Sequence, residues 1–407
     1  MNESNTVLKP FEYQIKLKKA LKEKNKLWTW FSEDKAKKEH FEKFKKALLK
    51  DSYRIDSSSH PELYEILDEI KQKINLPINI TLYQEQMSYQ NNVGISFYEN
   101  EAHIVLSGRV LKMLEKNELK AILAHELYHY FFFSIEDKAY EIADRIITGI
   151  ANDENSPDVY LESARLFKLY TELYCDRGAF LVTDDIDPVI TSLVKLTTGV
   201  DKVNSKSYID QAKEILNNEN KPTEQTSHPE SFVRAIALEL WAKDDNIADE
   251  EIEKLIEPKI EFDKLNIFSQ TELKNLTSRL IKLILKPSWN KTDMVLNMAK
   301  EYFPNISFSE EIDSEKIFEE ISQTGQSTKK YLAYVLLDFA LVDSNQGNAS
   351  LGYAFELAEN AGLKDEFNLT VKKELKITLR KLKDLQQEAA QELNQVNESK
   401  EDSLYGE

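Results

Sequence analysis

A chain of 407 residues exceeds one typical domain and points to two or three. With 41% hydrophobic and 30% charged residues it can build real cores as a soluble protein, and its single cysteine, Cys175, excludes an internal disulfide and fits a reducing compartment. A net charge of −18 argues against general nucleic-acid binding, which needs a basic surface to displace counterions.

The charge is uneven. Residues 1–60 carry fourteen lysines and Arg54 against nine acids, a net of +6, which leaves −24 on the remainder. Helical spacing of Leu17, Leu21 and Leu27, then of Phe41, Phe44 and Leu48, predicts two helices broken near Ser32–Asp34. We read this segment as a basic arm that docks on the acidic body or stays solvated. The sharper alternative is an interfacial helix, because Trp28, Trp30 and Phe31 sit among the lysines. Met1 to Lys9 has no apolar core of a signal peptide, and the densest apolar run, Tyr128 to Ile135, is eight residues long. The expectation is a cytoplasmic protein with no integral membrane segment.

Only 10 Gly and 10 Pro predict few turns and much helix. Ser57 to Pro61 is a turn cluster, after which Pro61 opens a helix to about Lys73, with Leu63, Ile66, Leu67 and Ile70 on one face. Three β segments follow, at Asn79–Tyr83, Val93–Phe97 and His103–Ser107, the last two spaced as a hairpin. From Arg109 onward the period is helical. Pro222 to Pro229 reads as a loop, and helices broken near Pro258, Pro287, Pro304 and Asn345–Asn348 continue to about residue 390. The Gln-, Glu- and Asn-rich end has the composition of a disordered tail. The expected organisation is a basic helical arm at 1–60, a catalytic domain at 61–245, a helical domain at 246–385 and an acidic tail at 386–407.

The chemistry concentrates in Ala124-His125-Glu126-Leu127-Tyr128-His129. Asn117 is a candidate cap for its helix. At about 100° per residue, His125 and His129 lie on one face a turn apart, where two imidazoles can bind one Zn²⁺ at roughly 2.0–2.1 Å. Glu126 can then reach water at that metal, accept its proton and deliver it to a leaving amine. Zinc in a catalytic site needs a third protein ligand and an open fourth position. Glu172 stands 43 residues after His129 on a second helical face, with Asp176 four residues beyond it. That completes a His₂Glu set for one Zn²⁺ per chain, and Asp176 is spaced to hold the other nitrogen of a ligand histidine.

Together these residues resemble the gluzincin metallopeptidases of the CAAX prenyl endopeptidase and HtpX type. Glu118–Ala124 leads into the motif as in those enzymes, Val105–Gly108 resembles their strand-to-helix turn, and Ser227-His228-Pro229 with Arg234 resembles their downstream His-Pro segment. The resemblance spans about residues 60–240. It implies an α+β, predominantly helical fold: a zincin-like catalytic domain with a small sheet and a His-Glu-x-x-His helix, followed by an all-α C-terminal region. It also implies that His228 faces the cleft to stabilise the oxyanion or position substrate, and that Arg234 pairs with a buried acid. Val93, Gly94, Ile95, Ser96 and Phe97 would be the edge strand that pairs with a substrate peptide. Because the chain lacks the membrane helices of the better-known members, extended or unfolded polypeptides are the expected substrates. A second reading is a latent or structural zinc protein that acts as a helical interaction module, with a protein partner on the C-terminal region. Glu126 and a set of only three ligands argue against it, since structural zinc sites are closed by four.

Overall fold

The computed structural model describes residues 8–404 apart from 34, 87–88, 219–224, 244, 258 and 308–311. Asp34, Pro222 and Pro258, where breaks are expected, lie outside the described residues. The chain forms two compact units, Met1–Pro258 and Lys259–Glu407.

The first unit runs α1 (Glu12–Lys22), α2 (Asn25–Ser32), α3 (Lys35–Asp51), β1 (Ser52–Ile55), α4 (Pro61–Lys73), β2 (Asn79–Glu85), β3 (Asn92–Tyr98), β4 (Glu101–Ser107), α5 (Val110–Met113), α6 (Lys116–Ala151), α7 (Asp158–Thr183), α8 (Asp187–Thr198), α9 (Ser205–Asn218), α10 (Ser231–Lys243) and α11 (Asp245–Ile256). Its sheet has the order β1-β2-β4-β3, so β1 and β3 are the outer strands. β2 and β4 pair in parallel, while β1 on β2 and β3 on β4 are antiparallel, with Ile95 opposite Ile104. Leu82, Ile104 and Leu106 are fully buried and anchor the sheet. Strand β1 is not foreseen in the sequence; Ile55, buried at its end, ties it to the core.

The basic arm docks. Leu17 and Leu21 of α1 are buried, Gln14 Nε2 donates to Thr171 Oγ1 at 3.1 Å, and Tyr174 OH donates to the Leu8 carbonyl at 3.0 Å. An apolar stripe seats this segment, and Lys18, Lys37 and Lys45 add ion pairs to Glu136, Glu141 and Glu101. Phe41 of α3 stacks on His103 of β4, with ring centroids 5.3 Å apart. Among the described residues no helix is long and apolar enough to cross a membrane.

α6 is capped two residues before the expected cap. Asn117 lies inside the helix, and Glu115 takes the cap position, its backbone N–H donating to Glu118 Oε2 at 2.8 Å. A carboxylate in the first turn also favours the positive end of the helix dipole. Past the motif the helix breaks: Ile135 is extended, and Glu136, Asp137 and Lys138 have φ of 49°, 54° and 63°. Lys18 of α1 pairs with Glu136 and donates to Tyr140 OH, holding this left-handed turn in place.

α6 and α7 pack in close antiparallel contact, with His125 near Asp176 and Phe132 near Phe167. Gly178 makes that approach possible, because a Cβ there would lie 2.1 Å from Cγ of the buried Tyr128 ring. Gly178→Ala should cost about 1–3 kcal/mol by overpacking, read as a shifted urea midpoint. A midpoint unchanged within error would mean that the two helices can separate freely.

The second unit is all helical: α12 (Ile267–Ile284), α13 (Asp293–Tyr302), α14 (Ser314–Ser322), α15 (Gln326–Leu341), α16 (Ala349–Asn360), α17 (Lys364–Glu374) and α18 (Leu379–Leu404). Pro287, Pro304 and Asn345–Asn348 all fall between α-helices, the last partly in a short 3-10 turn at Ser344–Gln346. Its core is built around Leu280, Leu332, Phe339 and Phe367. Where the composition predicts a disordered tail from Gln386, α18 continues as helix. Leu382, Ala389 and Leu393 recur at helical spacing and are buried, and Ala389 packs closely on Gly352 of α16.

Candidate metal centre

Three elements meet at the centre of the first unit. α6 supplies His125, Glu126 and His129, α7 supplies Glu172 and Asp176, and α10 supplies Arg234. His125 Nε2 lies 3.3 Å from Glu172 Oε2, and His129 Nε2 lies 3.5 Å from Glu172 Oε1. One donor atom from each of the three falls within 4.8 Å of the others. His125 and Glu172 are buried, and His129 is partly so.

The opposite nitrogen of His125 is engaged. Its Nδ1 is 3.0 Å from Asp176 Oδ1, which leaves Nε2 facing Glu172 and His129. Asp176, fully buried, is held in turn by Arg234, whose Nε donates to Oδ2 and Nη2 to Oδ1, each at 2.6 Å. Such a bidentate, charge-assisted pair fixes the orientation of the carboxylate as well as its charge. His228 sits in the loop before α10, well exposed, with Nε2 3.5 Å from Glu172 Oε1 and Nδ1 3.0 Å from Ser227 Oγ.

The charges fit a cation. Glu126, Glu172 and Asp176 crowd around one guanidinium, and Glu172 Oε2 is buried without a hydrogen bond. A buried acceptor left unsatisfied is costly unless a ligand completes it. In the metal-free protein, burial opposes a charge on His125, yet the Asp176 and Glu172 carboxylates hold its pKa up to about 10. Burial pushes His129 the other way, down to about 4. A neutral His129 is a ready ligand, and the proton on His125 occupies a position that favours positive charge. Burial also raises the Glu126 carboxyl to about 8, opposed by His125 and by a backbone hydrogen bond from Ile95.

That hydrogen bond brings β3 to the site. Val93 to Phe97 lie in the outer strand, and at Gly94 an added Cβ would meet open space. The surrounding cleft has a volume of about 810 Å³ and extends from Val93 past His125, Glu126 and Glu172 to His228 and Arg234. α8 contributes Leu193 and Leu196 to its wall, and Lys195 between them pairs at 2.8 Å with Glu118 of α6. The sequence reading does not single out this wall; the only signal for it is apolar spacing along α8, which any core helix shares.

A model of the SprT-like family matches residues 63–141. Among curated proteins the chain is similar to plastoglobule-localized metallopeptidase 48, chloroplastic, of Arabidopsis thaliana, at 26% identity over 216 residues, 47% of this chain and 60% of that one. It is also similar to protease HtpX homologs of Helicobacter pylori (strain J99 / ATCC 700824), at 30% over 81 residues, and of Campylobacter concisus (strain 13826), at 32% over 82 residues. Those alignments cover 20% of this chain and 26% and 28% of the relatives, so the chain spans less than two thirds of each relative it matches. No solved structure matches. The chain has a zincin-like metalloprotease fold with a His-Glu-x-x-His motif and a third candidate ligand on a second helix, loosely related to the HtpX and SprT families.

Proposed function

We propose that the chain is a zinc endopeptidase of the gluzincin type, akin to the CAAX prenyl endopeptidase and HtpX enzymes, acting on extended or unfolded polypeptides. The observation that carries this reading is the convergence of His125, His129 and Glu172 within 4.8 Å, with Glu126 beside them in an open cleft. Zinc held by these three residues supplies Lewis acidity, which polarises a carbonyl and lowers the pKa of water.

The chain's own groups do the rest. Asp176 fixes the tautomer and ring orientation of His125, and Arg234 fixes Asp176. The edge of β3 pairs with the substrate backbone and lays it across the cleft. Glu126 takes a proton from the attacking water as its oxygen bonds to the carbonyl carbon. It then gives that proton to the nitrogen released when the C–N bond breaks. His228, exposed at the cleft, donates to the oxyanion that develops on the carbonyl.

The test combines metal content with sequencing of cleavage products. The purified chain should bind one zinc, and in a proteome-derived peptide library it should create new termini that disappear with a chelator. His129→Ala should lose stoichiometric zinc and cleavage together. Full zinc occupancy in that variant would remove His129 from the ligand set, and an absence of zinc-dependent termini from the intact chain would remove the peptidase reading.

A further inference from the structure

The three candidate ligands are not held alike. His125 is fixed through its own side chain by Asp176, which Arg234 grips in turn. Glu172 has no support of that kind. Its Oε2 is buried without a hydrogen bond, the imidazole nitrogens of His125 and His129 stand 3.3 and 3.5 Å from its oxygens, and Arg234 Nη2 stands 3.9 Å away. Its position therefore follows from the rotation of α7 about its own axis. With side chains reaching roughly 5–6 Å from a helix axis, a turn of about 10° moves a carboxylate by about 1 Å. Metal–ligand distances tolerate only about 0.2 Å.

The N-terminal segment holds α7 from behind. At about 100° per residue, Tyr170 and Tyr174 lie about 40° apart, and Glu172 points about 160° away from each. On that rear side the Tyr13 ring stacks on Tyr170 with centroids 5.4 Å apart, and Tyr174 OH donates to the Leu8 carbonyl at 3.0 Å. Gln14 works at the flank. Fully buried, it accepts the Phe11 N–H at Oε1 and donates from Nε2 to Thr171 Oγ1, both at 3.1 Å. The Thr171 hydroxyl donates onward to the Phe167 carbonyl at 2.8 Å, so the relay ties α1 to the backbone of α7. Thr171 immediately precedes Glu172, which puts this tether at the residue next to the ligand. No described residue of α1, α2 or α3 lines the cleft, so the segment acts on the site from outside it.

We propose that Gln14 is a positioning residue for the third ligand: through Thr171 it sets the rotation of α7 that aims Glu172 at the metal. The inference rests on the ligand set of the peptidase reading above. It makes the N-terminal segment a working part of the metal centre rather than an appendage to it. Docking alone is a separate matter, and Lys18 isolates it. One turn further along α1, Lys18 fastens the same segment to α6 through Glu136 and Tyr140.

The test measures zinc affinity of the full chain by competition with a fluorescent zinc chelator, with circular dichroism to establish that each metal-free variant is folded. A folded metal-free chain binds zinc with an affinity that does not depend on its margin of global stability, so the readout separates positioning from docking. Gln14→Leu should weaken zinc about tenfold, the lower end of the 10–100-fold usual for groups that orient a metal ligand. Thr171→Val should do the same, and the double variant should be no weaker than either single one, because all three remove one bond. Lys18→Met should lower the melting temperature and leave zinc affinity within about twofold of wild type. Unchanged affinity in Gln14→Leu, or losses that add in the double variant, would overturn the role of Gln14 and leave the ligand set standing. An equal loss in Lys18→Met would overturn it as well, reducing the bond to docking. Should Gln14→Leu not fold, Thr171→Val decides alone, and unchanged affinity there overturns the proposal. No zinc on the wild type would overturn the ligand set and the positioning with it.

Discussion

Glu126→Gln should keep one zinc per chain and lower kcat/KM by about 10²–10⁴-fold, the usual contribution of a positioned general base. The two side chains are nearly identical in shape, and Gln can still accept the hydrogen bond from the Ile95 backbone, so the buried position should tolerate the change. The proposed metal ligands His125, His129 and Glu172 are untouched. Only the ability to take a proton is lost, and neither neighbouring carboxylate is free to replace it: Glu172 faces both imidazoles, and Asp176 is held by Arg234. The measurement is hydrolysis of a quenched peptide taken from the library, alongside zinc content by mass spectrometry. Activity within tenfold of wild type would mean that Glu126 is not the base. Loss of zinc together with activity would mean that Glu126 holds the metal rather than the proton.

The clustering of the three candidate ligands is legible in the sequence for a geometric reason. In a helix the positions of His125 and His129 follow from spacing alone, and Glu172 with Asp176 repeats the same four-residue spacing on a second helix. What spacing could not convey is how α7 returns to α6 across the 42 residues between His129 and Glu172. The reversal falls at 152–157, between α6 and α7, and α6 is first interrupted by the left-handed turn at Glu136–Lys138, where three side-chain-bearing residues adopt a backbone that costs roughly 1–2 kcal/mol each and that no propensity scale would predict. Strand β1 was invisible for a related reason. Four residues, Ser52–Ile55, are too few to establish an alternating period, and only pairing with β2 makes them a strand. The helix starts before Asn117: a good capping residue carries no information about whether Glu115, two residues earlier, has already closed the helix end with the Glu118 carboxylate. In α18, a polar composition outweighed a sparse apolar stripe that tertiary packing nonetheless buries.

Arg234→Met should destabilise the metal-free chain by about 3–5 kcal/mol, because it leaves the fully buried Asp176 carboxylate without its bidentate partner. His125 remains 3.0 Å from Asp176 but supplies a single contact in place of two. The same substitution should weaken zinc binding about 10–100-fold, since a carboxylate free to turn no longer fixes the tautomer of a ligand histidine. Stability and metal affinity can be separated by adding Asp176→Asn. In the double variant no uncompensated charge remains, so urea denaturation of the metal-free chain should show most of the lost stability restored. His125 still lacks a carboxylate on Nδ1, so competition with a fluorescent zinc chelator should show the affinity still reduced. Recovery of both would mean that Asp176 and Arg234 serve only the packing of α7 against α10. Recovery of neither would mean that the guanidinium itself, 3.9 Å from Glu172 Oε2, helps to hold the third ligand in place.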